Sequence, residues 1–255
     1  IDAWMGSNRL KLNADKTQSQ VIWIGTRQQL EKVSISELRL GSVIVQFSKS
    51  VSDLGVIVDR QLTMADHVAA VCRSCFFQLR QLRAIRSSLT VDAAKTLVHA
   101  FVSCRLDYCN SLLAGVSGGL VKKLQSVQNA AARLICRKRK YDHITPVLHD
   151  LHWLPVRRRI DFKIALLVFK CLHGQAPPYL ADDITLLSSI PGRRQLRSSY
   201  TQTLFVPSVR TVNFGSRAFG VYGPTVWNSL PVELRMASCS IASFRQKLKT
   251  FLYTR

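Results

Sequence analysis

Two adjacent aspartates, Asp182 and Asp183, are the first candidates for chemistry in this sequence, because they end the phrase PPYLADD at residues 177–183. Paired carboxylates can hold the two magnesium ions of phosphoryl transfer, but they must then come from different strands of a rigid sheet. Here the phrase begins with two prolines and does not follow a predicted strand, and no partner carboxylate follows on a second strand. We therefore predict that both aspartates cap or solvate a short helical turn and bind no metal.

A second group of possible metal ligands combines three histidines with two aspartates: Asp142, His143, His149, Asp150 and His152. Zinc sites draw on cysteines and histidines at short, fixed spacings, and no cysteine pair lies near this group. The surrounding phrase is dense in apolar residues. We predict buried, hydrogen-bonded histidines that pack around Trp153, and no metal site.

The charge balance indicates an anionic partner. The 255 residues include 36 Lys and Arg against 15 Asp and Glu, which gives a net charge of +21 and a pI near 10.3. Such a chain is attracted to the phosphates of nucleic acid or to an anionic membrane surface. No apolar run approaches the roughly 20 residues that span a bilayer. Seven cysteines in no framework spacing predict reduced thiols, and hence an intracellular protein of the cytoplasm or nucleus.

The elements that must position these residues change character along the chain. Residues 1–62 are predicted to form a helix, then a hairpin in ELRL-GS-VIVQF and one further strand in VSDLGVIVD at 51–59. From Thr63 the apolar period becomes helical, with a start that resembles a capping box at Thr63 and Asp66. The predicted class is α+β: the edge of a small sheet with a helix, a mainly α-helical bundle, and a mixed C-terminal region.

The bundle is predicted to contain three or four amphipathic helices between 63 and 175. The second begins at a Thr90 cap, and the third carries one apolar stripe: Leu120, Leu124, Val127, Ala131 and Leu134. After Gly174 the composition shifts to Pro, Gly, Ser and Arg. Short β-like pieces are predicted at 203–206 and 217–222, and a final helix at 241–253.

Four phrases together resemble a known family: NRLKLNADKTQ at 8–18, SDLGVIVDRQLTMADHV at 52–68, SCRLDYCNSLLAG with KLQSVQNAAARLI within 103–135, and DHITPVLHDLHWLPVRRRIDFKIALLVFK at 142–170. They are similar, in the same order, to the reverse transcriptase of LINE-type (non-LTR) retrotransposons of the jockey-like kind. FGSRAFGVYGPTVWNSLP and FRQKLKTFL extend the resemblance toward the C-terminus.

The resemblance implies a map of a right-hand polymerase. Residues 1–62 would be the C-terminal edge of the palm, 63–175 the helical thumb, and 176–255 the C-terminal region of the element's protein. The family's metal-binding aspartates precede the LKLN phrase, so we expect this chain to be a catalytically inactive C-terminal fragment. Magnesium is expected for the full-length polymerase, and no cofactor for this chain. The implied partners are an RNA template paired with a DNA primer and the fingers and palm of the same polypeptide, with no membrane.

The resemblance also implies site residues. Lys16 matches the lysine beside the leaving pyrophosphate, where an ammonium group could offset developing charge. Leu54 and Gly55 match the strand-turn region that grips the primer end, although a β-bulge in a buried strand would explain them nearly as well. Basic residues of the first and third thumb-like helices could follow the nucleic-acid backbone: Arg73, Arg80, Arg83, Lys122, Lys123, Arg133 and Arg137.

Two other classes remain open at this point. The chain could be a stand-alone basic helical module, derived from a retroelement, that binds RNA or a protein. It could also be a peripheral membrane protein, which rests on charge alone and is disfavoured because no long basic amphipathic helix has an aromatic apolar face.

Overall fold

The computed structural model describes residues 6–9, 20–40, 43–190, 201–211, 214–236 and 239–254. The chain divides into two compact units, Ile1–Asp66 and His67–Arg255. The boundary lies four residues beyond the predicted palm edge at residue 62. The domain limits suggested by the family resemblance stay predictions.

The first unit contains two separate β-hairpins after a short helix. Helix α1, Arg27–Leu30, begins at a capping box in which Gln29 N donates to Thr26 Oγ1 and Thr26 N donates to Gln29 Oε1. Strands β1 (Glu37–Leu40) and β2 (Val43–Gln46) pair antiparallel, with Glu37 opposite Gln46. This confirms the predicted hairpin in ELRL-GS-VIVQF.

The second hairpin replaces the single strand that was predicted at 51–59. Strands β3 (Ser50–Asp53) and β4 (Val56–Asp59) pair antiparallel, with Asp53 opposite Val56. A loop of two residues, Leu54 and Gly55, therefore reverses the chain at the position where the family resemblance implied a turn. The prediction of one strand was wrong because the apolar Leu54 occupies a turn position that asparagine or aspartate usually fills.

The loop between β4 and the next helix is organised by Asp59. Its carboxylate accepts hydrogen bonds from the backbone N–H groups of Gln61, Thr63 and Met64 at 2.7–3.1 Å. Burial raises the pKa of Asp59, but these bonds and one from the Thr63 hydroxyl lower it by more, so the net pKa lies below its ordinary value. Asp59 therefore stabilises the helix start that the sequence assigned to Thr63 and Asp66.

The second unit is mainly helical. Helix α2 spans Ala65–Ile85, and a 3-10 turn Arg86–Ser88 follows. Helix α3, Val91–Val98, begins at the predicted cap, where Ala93 N donates to Thr90 Oγ1. It continues through a π-helical segment, His99–Ser103, into α4, Cys104–Asp107.

The described residues that follow contain the α-helices α5 Gly118–Cys136, α6 Ile144–Asp150, α7 Val156–Leu172, α8 Pro178–Ala181, α9 Phe219–Asn228, α10 Val232–Arg235 and α11 Ile241–Thr254. They also contain short 3-10 helices at Asn110–Leu113, Leu187–Ser189 and Gly215–Arg217. Leu120, Leu124, Val127, Ala131 and Leu134 of α5 are all buried, which confirms the predicted stripe. The predicted β-like piece at 217–222 was wrong, because that stretch enters α9. The final helix lies where it was predicted.

The C-terminal helices α9 and α11 pack against α7 and complete the core. Phe244 of α11 stacks on Phe169 of α7 with ring centroids 4.2 Å apart, and Trp227 of α9 lies 5.9 Å from Phe244. All three side chains are fully buried. Burial of a phenylalanine contributes about 3–5 kcal/mol when measured by truncation to alanine. The region after residue 175 is therefore part of the same hydrophobic core as the helices before it.

Polar contacts reinforce this packing. Arg217 donates from Nε to the carbonyl of Ala114 at 3.0 Å and from Nη2 to that of Leu112 at 3.3 Å. Tyr222 of α9 donates from its hydroxyl to Asp161 of α7 at 3.1 Å. Burial, followed by the charge of Asp161, raises the pKa of Tyr222 to about 12, so the phenol remains protonated and holds this bond at neutral pH.

Candidate nucleic-acid interface

The outward face of α2 combines cations with aromatic rings. Arg73, Arg80 and Arg83 are exposed, and Arg73 and Arg80 lie two turns apart, about 10.5 Å along the axis. Phe76 and Phe77 lie between them and are 40% and 55% exposed. The helical spacing of Phe76 from Val68, Cys75 and Leu79 predicts that it lies on the apolar stripe of this helix, so its exposure differs from that prediction. We call these five residues the α2 face.

The opposite side of α2 anchors it in the bundle. Val68, Cys75 and Leu79 are buried there, and Cys75 Sγ lies 4.0 Å from the carbonyl oxygen of Val102 in the π segment. Burial raises the pKa of Cys75 to about 11, so this thiol is protonated and inert at neutral pH. The α2 face is therefore displayed on a helix whose rotation is fixed by its core contacts.

The predicted lysines of α5 lie on an adjoining surface. Lys122 and Lys123 are both exposed. Lys123 is close enough to Cys72 of α2 for its charge to lower the pKa of that thiol, although burial has the larger effect and raises it. The structure thus brings Lys123 near the helix that carries Arg73, Arg80 and Arg83.

The two predicted arginines at the end of α5 donate hydrogen bonds to backbone carbonyls. Arg133 is half-buried and donates from Nη2 to the carbonyl of Asp142 at 3.3 Å. Arg137 caps α5 in the left-handed conformation and donates from Nη2 to the carbonyls of Arg86 and Ser87, each at 3.4 Å. Their guanidinium groups therefore have structural partners that the sequence did not reveal, although Arg137 is exposed.

The structure adds a residue that the sequence reasoning missed. Arg86 is only 7% exposed, and its guanidinium donates to the carbonyls of Leu134 at 2.8 Å, Ile135 at 2.6 Å and Leu89 at 2.8 Å. The first two carbonyls lie in the last turn of α5, where the helix itself provides no donors. Together with Arg137, which donates in the reverse direction, Arg86 ties the end of α2 to the end of α5.

Leu54 and Gly55 form the tip of the β3–β4 hairpin. Their φ angles are +45° and +83°, the combination that a two-residue type I′ turn requires. Such turns favour Asn-Gly or Asp-Gly, so a leucine at the first position is conformationally costly. The Leu54 residue is 85% exposed. The tip thus displays an apolar side chain at a strained position, which is typical of functional loops.

The candidates for metal chemistry have no common site among the residues that the structure describes. Lys16 lies outside those residues. Asp182 and Asp183 follow the short helix α8 and are exposed, as predicted for residues that end a helical turn. No group of three or more His, Cys, Asp or Glu side chains within the described ranges could hold a metal ion.

The histidine cluster differs from its prediction. His143, His149 and His152 are all exposed, so the expectation of buried, hydrogen-bonded histidines was wrong. Trp153 does pack against the apolar cluster of Ala132, Val147 and Leu148. The amphipathic period of α6 puts its apolar side chains inward, and His149 consequently lies on its solvent side, while His143 and His152 lie just outside the helix.

In the part of the chain that the structure covers, no helix is both long and apolar enough to cross a membrane.

Comparison with known proteins gives one similarity. The chain is 27% identical over 165 residues, 63% of its length, to the probable RNA-directed DNA polymerase from transposon BS of Drosophila melanogaster, and the match covers 18% of that protein. No protein-family model and no solved structure matches the chain. The chain thus spans less than a fifth of this relative. The similarity supports an origin in a transposon-encoded protein related to RNA-directed DNA polymerases.

Proposed function

We propose that this chain is the C-terminal portion of a LINE-type, jockey-like reverse transcriptase, and that it binds the template-primer duplex of RNA and DNA. In this proposal residues 1–62 form the palm edge and the helical unit provides the thumb and C-terminal region. The similarity to a transposon RNA-directed DNA polymerase supports the polymerase context.

The observation that carries the proposal is the α2 face. Its three arginines are spaced along one exposed side of a rigid helix and can each contact a backbone phosphate. Phe76 and Phe77 between them offer flat apolar surfaces to sugars and base edges in a wide, shallow minor groove, the groove that an A-like hybrid duplex presents. Lys122 and Lys123 extend the cationic surface beside it.

The hairpin tip is the second element of the proposal. Leu54 and Gly55 would contact the primer strand, where the absence of a side chain at Gly55 permits close approach of the backbone to a phosphate. Lys16 would serve at the leaving group of the longer enzyme. Magnesium would be held by aspartates upstream of these residues, and the chain alone would polymerise nothing.

A salt series on hybrid binding tests the proposal. A blunt hybrid duplex should bind with log Kd rising linearly with log salt concentration, and each of Arg73→Gln, Arg80→Gln and Arg83→Gln should lower the slope by about 1. Arg245→Gln on the exposed face of α11 is the matched control and should change the slope by much less. Equal effects at Arg245 and Arg80 would show that binding is unspecific charge attraction and would overturn the role of the α2 face.

Two further measurements test the proposal that the isolated chain binds the hybrid but does not catalyse polymerisation. Replacement of Asp182 and Asp183 together by asparagine should leave hybrid affinity unchanged, because both lie outside the α2 face. The unmodified chain should show no magnesium-dependent primer extension. Extension by the isolated chain, abolished in the double variant, would instead identify this aspartate pair as a metal site.

A further inference from the structure

A cavity of about 420 Å³ opens on the helical unit between α3 and the turn that follows α6. It is lined by an ammonium group from Lys95, imidazoles from His99 and His152, the carboxylate of Asp150 and the indole of Trp153. Its volume falls at the small end of the range for ligand pockets, about 300–1,000 Å³. That size suits one small ligand and excludes a duplex.

Two departures from regular backbone meet at this cavity. His99 is the first residue of the π-helical segment, and π turns inside α-helices are frequent at functional sites. His152 has a φ of +53°, in the left-handed region. Strained residues of this kind persist where the surrounding structure holds them, and they concentrate at binding sites.

The position of His152 can be defined from its hydrogen bonds. His152 N donates to the carbonyl of His149 and Trp153 N donates to that of Leu148, both at 2.8 Å. This pair of bonds is the Schellman motif that ends α6, and it places His152 at the position where glycine is strongly preferred. A histidine here is less stable than glycine would be, and its exposed imidazole lines the cavity.

The chemistry of the lining indicates an anionic ligand with a flat ring. Lys95, His99 and His152 are donors that can surround a phosphate, and only Asp150 opposes them within the lining. Lys95 also lies 3.5 Å from Asp92, and its side chain is 50% exposed. Trp153 is half-buried and has the Arg159 guanidinium 5.8 Å from its ring centroid, and the part of its indole that lines the cavity can contact a base. The side chains do not converge as a metal site would require.

We infer that this cavity binds one unpaired nucleotide of a single-stranded RNA segment, with its phosphate among Lys95, His99 and His152 and its base against Trp153. The inference rests on the proposed function for the class of polymer. It adds a site separate from the α2 face, which would hold template RNA outside the duplex.

The test compares two hybrids in a fluorescence-anisotropy titration of the full chain, one blunt and one with five unpaired template nucleotides. The hybrid with the overhang should bind about tenfold more tightly than the blunt hybrid, which corresponds to a difference of about 1.4 kcal/mol in binding free energy. His152→Gly should remove most of this advantage and leave blunt-hybrid affinity unchanged. Lys95→Gln should act in the same direction.

The glycine variant separates a ligand role from a structural one. Since glycine relieves the backbone strain at residue 152, thermal unfolding should be unchanged or shifted upward while overhang binding falls. Gln202→Gly is the matched control: Gln202 also has a positive φ, of +48°, and does not line the cavity. It should keep the full preference for the overhang.

The failure of this inference is distinguishable from failure of the proposed function. If wild-type protein binds both hybrids equally, or if His152→Gly retains the preference, the cavity does not bind an unpaired nucleotide. If blunt hybrids do not bind at all, the α2 face is refuted, and the five-nucleotide RNA alone then tests the cavity with the same variants. Loss of its binding on His152→Gly supports the inference, and unchanged binding refutes it.

Discussion

Replacement of Arg86 by methionine should destabilise the helical unit by about 3 kcal/mol. The guanidinium makes three hydrogen bonds to carbonyls at 2.6–2.8 Å, and hydrogen bonds to charged groups contribute about 1.5–3 kcal/mol each. Removal of a buried cation returns several kcal/mol of desolvation energy, so the loss is smaller than the sum of the three bonds. Methionine keeps much of the apolar stem, and the carbonyls of Leu134 and Ile135 are left without their donor.

Urea unfolding followed by far-ultraviolet circular dichroism measures this loss, because the helices dominate the signal. A destabilisation of about 3 kcal/mol corresponds to a fall of roughly 6–12 °C in the thermal midpoint for a unit of this size. Arg86→Lys should fall between the wild type and Arg86→Met, since an ammonium group retains the charge but cannot reach three carbonyls in the fixed geometry of the guanidinium.

The control is Arg83→Met, three residues earlier in α2 and exposed. It should change stability by no more than about 0.5 kcal/mol, as surface substitutions usually do. A loss below about 1 kcal/mol for Arg86→Met would refute the reasoning, because the three hydrogen bonds would then contribute almost nothing beyond the desolvation of the cation. An Arg86→Lys variant as stable as the wild type would refute the requirement for the planar group.

Three further predictions concern single residues. Asp59→Ala should accelerate amide hydrogen exchange in β4 near neutral pH. Because the folded pKa of Asp59 is lowered, the stability that its carboxylate contributes is present above the unfolded pKa of about 4 and is lost as the pH falls through the folded value. A difference in exchange rate between variant and wild type that grew on acidification would contradict this. Leu54→Asn should stabilise the hairpin by about 0.5–1 kcal/mol, because asparagine suits the type I′ turn. Primer extension by a longer enzyme that contains this substitution should fall. Unchanged extension would show that the turn does not contact the primer. Iodoacetamide at pH 8 should label the exposed Cys104 in the native chain and should not label Cys75, whose pKa is about 11. Mass spectrometry identifies the labelled cysteine, and labelling of Cys75 before Cys104 would disprove the burial of Cys75.

The features that sequence reasoning predicted are those that depend on neighbours along the chain. The Thr90 cap and the buried stripe of α5 follow from side chains three and four residues apart, whose relation a helix fixes. The β1–β2 hairpin was recognisable for a similar reason, because its strands flank a short turn between two apolar runs. Such local patterns do not require knowledge of any distant partner.

The features that were missed depend on distant partners or on unusual residues at strained positions. Arg86 meets the carbonyl of Ile135 across 49 residues of sequence, and nothing near either residue indicates the contact. Leu54 occupies a turn position that favours asparagine or aspartate, so Gly55 was the one residue of the two-residue loop that indicated a turn. His152 occupies the left-handed position after α6 where a glycine would have indicated the end of the helix. The strained positions are the same ones that the binding proposals use.

The stacking of Phe169 on Phe244 has a consequence for how the protein is synthesised. About 75 residues separate the two rings, so at roughly 5–20 residues per second the ribosome needs about 4–15 s to make the partner after Phe169 has been added. Helix α9 is made before α11 and can already pack on α7 during that interval, but Phe169 still lacks its stacking partner. The apolar surface around Phe169 is then open to aggregation or to chaperone binding. This part of the core is therefore complete only after α11 has been made.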